Sequence, residues 1–228
     1  MIDLRDKVVV VTGASLGIGR ETAFGFAAEG ARLALSYLEH KAEAHDVAAR
    51  CRELGAREVA VERLDLGVEG SIRAFVEATV EGFGGFDILV NNAGMVVWRP
   101  FLDQRLAEIE AQLRVNLYGV LTLTWLALPH VRDAVLNVVS TASLHGTSRL
   151  APYGASKWGL RGFTKSLAKE HPGLRLYNVH PTVTATRMND FEGMAPERVA
   201  EVILMVARGE LALEPGADVD LRDFAEGP

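Results

Sequence analysis

Tyr153 and Lys157 stand four residues apart in Tyr153-Gly154-Ala155-Ser156-Lys157, a spacing that puts both side chains on one face of a helix. A free phenol titrates near ~10, and a fixed ammonium beside it favours the ionised form. A tyrosine tuned in this way can exchange a proton with an alcohol or ketone oxygen at physiological pH. Lysine is scarce in this chain. The 24 basic residues divide into 19 Arg and 5 Lys, so the cation at position 157 is a departure from the chain's habit. Taken alone, the pair more often marks an ordinary helix start after a proline, here Pro152. The elements that would position it carry the argument.

Lys7-Val8-Val9-Val10-Val11-Thr12 reads as a strand covered on both faces. It runs into Gly13-Ala14-Ser15-Leu16-Gly17-Ile18-Gly19 and then a helical pattern. A turn poor in β-carbons lets backbone N–H groups approach a pyrophosphate, and the positive end of the following helix favours the anion. The spacing G-x-x-x-G-x-G differs from the G-x-G-x-x-G fingerprint but occupies the same strand–loop–helix context. Residues 31–36 are expected to form a second strand, 39–54 a helix ended by Gly55, and 59–64 a third strand. Tyr37-Leu38 stands where an acid would receive the adenosine ribose hydroxyls. Asp65-Leu66 closes the third strand, where Asp65 either accepts the adenine amino group or caps a turn.

A helix over 69–81, a loop at 82–85 and a strand over 86–90 lead to Asn91-Asn92-Ala93-Gly94. Its amides can tie neighbouring loops, and its small residues leave room for a flat ligand. Residues 103–129 carry one long helical pattern. Asn116 interrupts it, as a hydrogen-bonding strut or a point of local unwinding. A fifth strand over 134–139 ends in Ser140-Thr141-Ala142-Ser143, hydroxyls at the end of the sheet where α/β proteins bind ligands. After the Tyr153 helix come a strand over 174–179, an irregular segment over 182–195 suited to a lid, a helix over 196–208 and an edge strand over 211–219. Strand and helix alternate throughout, so the expected fold is a single α/β domain, residues 1–228. It is a doubly wound parallel sheet of about seven strands with helices on both faces.

The remaining composition narrows the function. A length of 228 residues with 49% hydrophobic content suits one core, and a net charge of -6 without a basic run disfavours a nucleic-acid partner. The charged start and the lack of a long apolar run point to the cytoplasm rather than to export or a membrane. Cys51 is the only cysteine, at helical spacing with Val47 and Leu54, and reads as a buried apolar residue. The six histidines form no i, i+4 ligand pair beside a glutamate, so no metal site is expected.

Together these residues resemble the short-chain dehydrogenase/reductase family over nearly the whole chain. The family's T-G-x-x-x-G-x-G matches Thr12, Gly13, Gly17 and Gly19, its N-N-A-G matches Asn91 to Gly94, and its Asn, Ser, Tyr, Lys tetrad falls on Asn116, Ser140, Tyr153 and Lys157. Ser143 competes with Ser140 for the serine. Thr182 departs from the family's Pro-Gly pair, and the C-terminus lacks its Val-Asp-Gly-Gly. The resemblance implies a Rossmann-type fold and hydride transfer between nicotinamide C4 and a carbonyl or secondary alcohol. It makes Tyr153 the acid/base and Ser140 the holder of the substrate oxygen. Lys157 binds the nicotinamide ribose and lowers the tyrosine pKa, and Asn116 anchors a water. It also implies cofactor contacts from Gly13, Ser15, Leu16, Gly17, Ile18, Gly19, Tyr37, Asp65, Leu66, Asn92, Ala93, Gly94, Tyr153, Lys157, Pro181 and Val183, and a homodimer or homotetramer. NADP is expected over NAD, because no carboxylate ends the second strand while Ser15, Arg20, His40 and Lys41 are near; Glu39 argues the other way. Trp98, His145, Leu150, Met188, Phe191 and Met194 are candidates for an apolar substrate pocket. The competing readings are a catalytically silent nucleotide sensor and a nucleotide-binding transferase, the latter having no use for the Tyr/Lys pair.

Overall fold

A computed structural model describes residues 1–185 and 192–224. Seven parallel strands form one sheet in the order β3-β2-β1-β4-β5-β6-β7: β1 Val8–Val11, β2 Arg32–Tyr37, β3 Glu58–Arg63, β4 Phe86–Asn91, β5 Val131–Val138, β6 Arg175–His180 and β7 Asp218–Asp220. The order reverses between β1 and β4, so the crevice at the carboxyl ends of these strands is the natural ligand position of a Rossmann-type sheet. The tetravaline of β1 is buried along its length because neither face sees water.

Helices cover both faces. One core packs the sheet against α1 Gly17–Ala28, α2 Lys41–Leu54 and α7 Pro196–Arg208, around Phe26, Leu33, Ile88 and Ile203. The other packs it against α3 Glu69–Phe83, α5 Val120–Ala127 and α6 Ala151–Glu170, around Ile72, Leu89, Leu123 and Leu160. Cys51 lies in the first core, fully buried, and burial pushes its thiol up to about 12, which leaves it inert as a nucleophile.

The second core holds a polar row. Asn91, Asn137 and Asn178 are in register on β4, β5 and β6. Asn91 Nδ2 donates to Asn137 Oδ1 at 2.8 Å and to Thr124 Oγ1 at 3.2 Å, and Asn137 Nδ2 donates to Thr164 Oγ1 at 2.8 Å. Both threonines return their protons to their own helices, at Val120 O and Leu160 O. The Nδ2 groups of Asn91 and Asn137 are thereby matched to helix hydroxyls, while Asn178 Nδ2 turns to Asp218 Oδ1 at 3.2 Å.

Three elements differ from the sequence reading. The long helix over 103–129 is instead α4 Leu106–Leu113, a π-helical turn Arg114–Gly119 and α5. The extra residue per turn follows from two contacts: the Asn116 side chain leaves the helix for Met95, and the backbone at Gly119 presses on Leu66. The expected edge strand over 211–219 shrinks to β7, because Pro215 offers no N–H and Gly216 turns at φ +78°. The helix expected to stop at 81 continues to Phe83, whose buried ring extends it until Gly84 caps it with a left-handed conformation, φ +71°.

Candidate active site

The glycine loop joins β1 to α1 at the switch point. Gly13 and Gly17 adopt φ +65° and +56°. Gly19 is required by close approach: a β-carbon there would lie 2.3 Å from Gly13 O and 2.5 Å from Asn92 Nδ2. The first turn of α1 has neither a side-chain cap at Leu16 nor an acidic residue, so its N–H groups, with Ile18 among them, are left for an external acceptor. Gly19→Ala is expected to weaken nicotinamide dinucleotide binding at least about tenfold, since the new methyl must push the loop off Asn92. Titration of reduced-nicotinamide fluorescence measures it.

Asn92, Ala93 and Gly94 brace this loop. Asn92 Nδ2 donates to Thr12 O at 2.9 Å and Gly13 O at 3.2 Å, while Thr12 Oγ1 accepts the N–H groups of Asn92 and Ala93, both at 3.0 Å. Sequence reasoning matched Thr12 only as a motif letter, and missed Ser36, whose Oγ accepts from Gly13 N at 3.1 Å. A polar residue closing an otherwise apolar strand was the available signal. Ser15 is buried beside the loop.

At the end of β2, Tyr37 is largely buried and its ring centroid lies 6.5 Å from that of His45. Asp65 Oδ1 accepts from Gly67 N at 2.9 Å, which makes it a turn residue with its second oxygen 3.9 Å from Arg63. Leu66 is buried. Arg20 is held by Glu21 at 2.7 Å, His40 lies 3.5 Å from Glu43, and Glu39 and Lys41 are exposed.

The proposed chemistry-bearing side chains meet at the carboxyl end of β5. Ser140 caps a short 3-10 turn, its Oγ accepting from Ala142 N at 3.1 Å, and its hydroxyl is close enough to the Tyr153 phenol to favour the ionised form. Ser143 points elsewhere. It is fully buried, donating to Ser140 O at 2.6 Å and lying 3.0 Å from His180 Nδ1. Lys157 is buried, its ammonium 5.7 Å from the Tyr153 ring centroid and donating to Val138 O at 3.0 Å. Asn116 is both strut and unwinding point: from the π turn its Oδ1 accepts from Met95 N at 2.8 Å and its Nδ2 donates to Met95 O at 2.7 Å. A β-carbon on Gly94 would lie 3.0 Å from Asn116 Oδ1 and 3.6 Å from Lys157 Nζ, so these three residues converge.

One electrostatic expectation is reversed. Burial pushes the Tyr153 phenol above its ordinary value, against the lowering effect of the Ser140 hydroxyl. Lys157 does not overcome this. Burial brings its own ammonium down from 10.5 to about 8.

Beyond β6, Pro181 is buried and its carbonyl accepts from Thr141 N at 3.0 Å, while Val183 is half exposed. Val183 O accepts from Met194 N at 2.9 Å and Ala185 N donates to Met194 O at 2.8 Å, which ties together the two ends of the segment expected as a lid. Met194 packs against the first core, Leu150 is buried, and Trp98 is partly exposed. His145 faces Arg222 Nη2 at 2.9 Å. Met188 and Phe191 lie outside the described residues. Among the described residues no group of three or more His, Cys, Asp or Glu could hold a metal ion, and no helix is long and apolar enough to cross a membrane.

A doubly wound sheet with a β-carbon-poor loop at its switch point defines a Rossmann-type protein. The chain belongs to the short chain dehydrogenase family, whose model matches residues 7–195. It is 33% identical over 183 residues to the uncharacterized oxidoreductase YhdF of Bacillus subtilis, covering 78% of this chain and 63% of that protein. The chain thus spans less than two thirds of that relative's length. A 3-oxoacyl-[acyl-carrier-protein] reductase of Synechocystis is 32% identical over 216 residues, 92% of this chain and 86% of the relative. Among solved structures, a short chain dehydrogenase from Burkholderia cenocepacia in complex with NADP superposes with a TM-score of 0.89 at 30% identity, covering 96% of this chain and 97% of that one.

Proposed function

We propose that the protein is an NAD(P)-dependent oxidoreductase that interconverts a carbonyl and a secondary alcohol. The observation that carries this reading is the gathering of Ser140, Tyr153 and Lys157 at the sheet end that also bears the glycine loop, with Lys157 Nζ 5.7 Å from the Tyr153 ring centroid. The cofactor would be held by the loop from Gly13 to Gly19 and by Asn92 to Gly94, with Tyr37, Asp65 and Leu66 at the adenosine and Pro181 and Val183 at the nicotinamide. When bound, it supplies the hydride acceptor or donor. Ser140 orients the substrate oxygen toward Tyr153. In the reducing direction Tyr153 gives its phenolic proton to that oxygen as the C–H bond forms at the carbonyl carbon. Lys157 would donate to the ribose hydroxyls of the cofactor, and it presents positive charge to the developing phenolate. Asn116 holds Met95 and the π turn in place, with a water of the proton path at its amide.

A silent nucleotide sensor would have no need of Ser140, Tyr153 and Lys157 gathered at one point. Incubation with reduced cofactor and a panel of ketones tests the choice: oxidation of the cofactor supports the enzyme, and tight cofactor binding without turnover on any ketone overturns it.

NADP is the proposed cofactor. No carboxylate ends β2, Lys41 is exposed nearby, and the Burkholderia relative was solved with NADP. Arg20 must leave Glu21 to serve a 2′-phosphate, so the preference is modest. The expected kcat/KM ratio favours NADPH by about threefold to tenfold. A tenfold preference for NADH would assign the ribose to Glu39 instead. Self-association into dimers or tetramers is part of the same reading, supported by exposed Tyr118, Trp125 and Trp158 on the π turn, α5 and α6; light scattering measures it.

A further inference from the structure

Ser143, His180 and Asp218 are joined in the order of a hydrolytic triad, Ser143 Oγ 3.0 Å from His180 Nδ1 and His180 Nε2 3.0 Å from Asp218 Oδ1. Hydrolysis is excluded by access: Ser143 is 0% exposed and its proton is directed to Ser140 O. The chain of contacts has another end point. Ser140 O is met at 2.6 Å by Ser143 Oγ, at 2.9 Å by Ser143 N and at 3.0 Å by His180 Nδ1. Ser143 spends its only hydrogen on that carbonyl, while the His180 ring spans the gap, Nδ1 facing the Ser140 carbonyl and Nε2 facing the Asp218 carboxylate.

Asp218 collects contacts from two elements, α6 and β6. It accepts from Arg161 Nε at 3.0 Å and Nη2 at 2.7 Å, from Asn178 Nδ2 at 3.2 Å, and lies 2.9 Å from Lys165 Nζ. Arg161 and Lys165 extend from α6, one and two turns beyond Lys157. The carboxylate of β7 therefore fastens the helix bearing Tyr153 and Lys157, and through His180 it also fastens the peptide bearing Ser140.

We propose that His180, backed by Asp218, is a positioning residue that fixes the Ser140 peptide against α6 and so sets the Ser140 hydroxyl at the Tyr153 phenol. The inference rests on the oxidoreductase reading and on Ser140 as the residue that orients the substrate oxygen. His180 is fully buried and touches neither substrate nor cofactor in this role. Its contribution is orientation, which a displacement of ~1 Å can turn into a hundredfold loss of rate.

The test uses the full-length protein with a ketone that the wild type reduces, and compares His180→Asn with His180→Gln. An asparagine amide reaches the place of Nδ1 and can keep the bond to Ser140 O; a glutamine amide reaches toward Nε2 and keeps Asp218 but not Ser140. Expected is a fall in kcat of about thirtyfold for Gln and no more than about threefold for Asn, with cofactor Kd within about twofold in both. Asp218→Asn, on a partly exposed edge strand, is expected to lower kcat by about fivefold and provides a second variant that fills the same volume. Equal losses in Asn and Gln, or no loss in either, overturn the inference while leaving the oxidoreductase reading standing. Losses confined to thermal stability and cofactor affinity, at unchanged kcat, assign His180 a structural role and overturn it too. A wild type that reduces no ketone removes the oxidoreductase reading first, and this inference with it.

Discussion

Tyr153→Phe is expected to lower kcat by about a thousandfold while changing cofactor affinity by less than about twofold. The substitution removes one oxygen and keeps the ring that sits under the Lys157 ammonium. What disappears is the hydroxyl beside Ser140 that is proposed to give its proton to a carbonyl oxygen at neutral pH. The raised phenol adds a sign. A tyrosine held protonated by burial is ready to act as an acid, so carbonyl reduction is sustained through neutral pH and falls as pH climbs past the phenol. Alcohol oxidation needs the phenolate and rises over the same interval. Rate profiles in the two directions should therefore be mirror limbs of one titration. More than a tenth of wild-type activity in the Phe variant, or a reduction rate that climbs with pH, would remove Tyr153 from the role.

Lys157→Met has the second large effect, and its two readouts move in opposite directions. Turnover should fall at least about a hundredfold and cofactor binding about tenfold, through loss of the ribose contact and of the charge facing the phenol. Stability without cofactor should rise. A buried ammonium whose pKa drops from 10.5 to about 8 on folding is penalised in full below pH 8, because the folded chain resists the proton that the unfolded chain keeps. That penalty is about 3 kcal/mol at ~1.4 kcal/mol per unit, offset by about 1 kcal/mol for the lost hydrogen bond to Val138 O. A net gain of about 2 kcal/mol corresponds to roughly 4–8 °C in Tm at this chain length. The gap between variant and wild type should close as pH rises from about 8 toward 10.5, where the wild-type lysine sheds its proton in both states. A melting temperature that falls at pH 7 would mean that the lysine stabilises the apo fold.

Most of the sheet is visible in the sequence as apolar β-branched runs alternating with helical periods, because a strand buried on both faces has little choice of composition. The lost stretch of β7 was hidden by ordinary residues around Pro215-Gly216, whose turn outweighs the apolar pattern. The π turn left only one trace, an asparagine in an apolar helix, since a slip of the backbone ladder needs no special residue type. Around the site, spacing could bring Tyr153 and Lys157 together but could not tell Ser140 from Ser143. That difference depends on which hydroxyl His180 buries, and His180 finds its carboxylate 38 residues away. The direction of the Tyr153 shift was illegible for the same reason: desolvation is a property of the packed site, not of the pair.

The in-register asparagines of β4, β5 and β6 bear on how the chain avoids misassembly. Valine, leucine and alanine are interchangeable along these strands, so hydrophobic burial alone would tolerate a strand displaced along its neighbour. A shift of two residues would keep every side chain on its own face, yet would part Asn91 from Asn137 and Asn137 from Thr164. Each parted amide would then be stranded in an apolar core at a cost of about 1–3 kcal/mol. The pair thus acts as a notch that admits one alignment of β4 against β5 and of β5 against α6 and penalises the near misses, and since Ser140 follows β5 while Tyr153 and Lys157 lie on α6, the notch also sets the relative height of the residues on which turnover is proposed to depend.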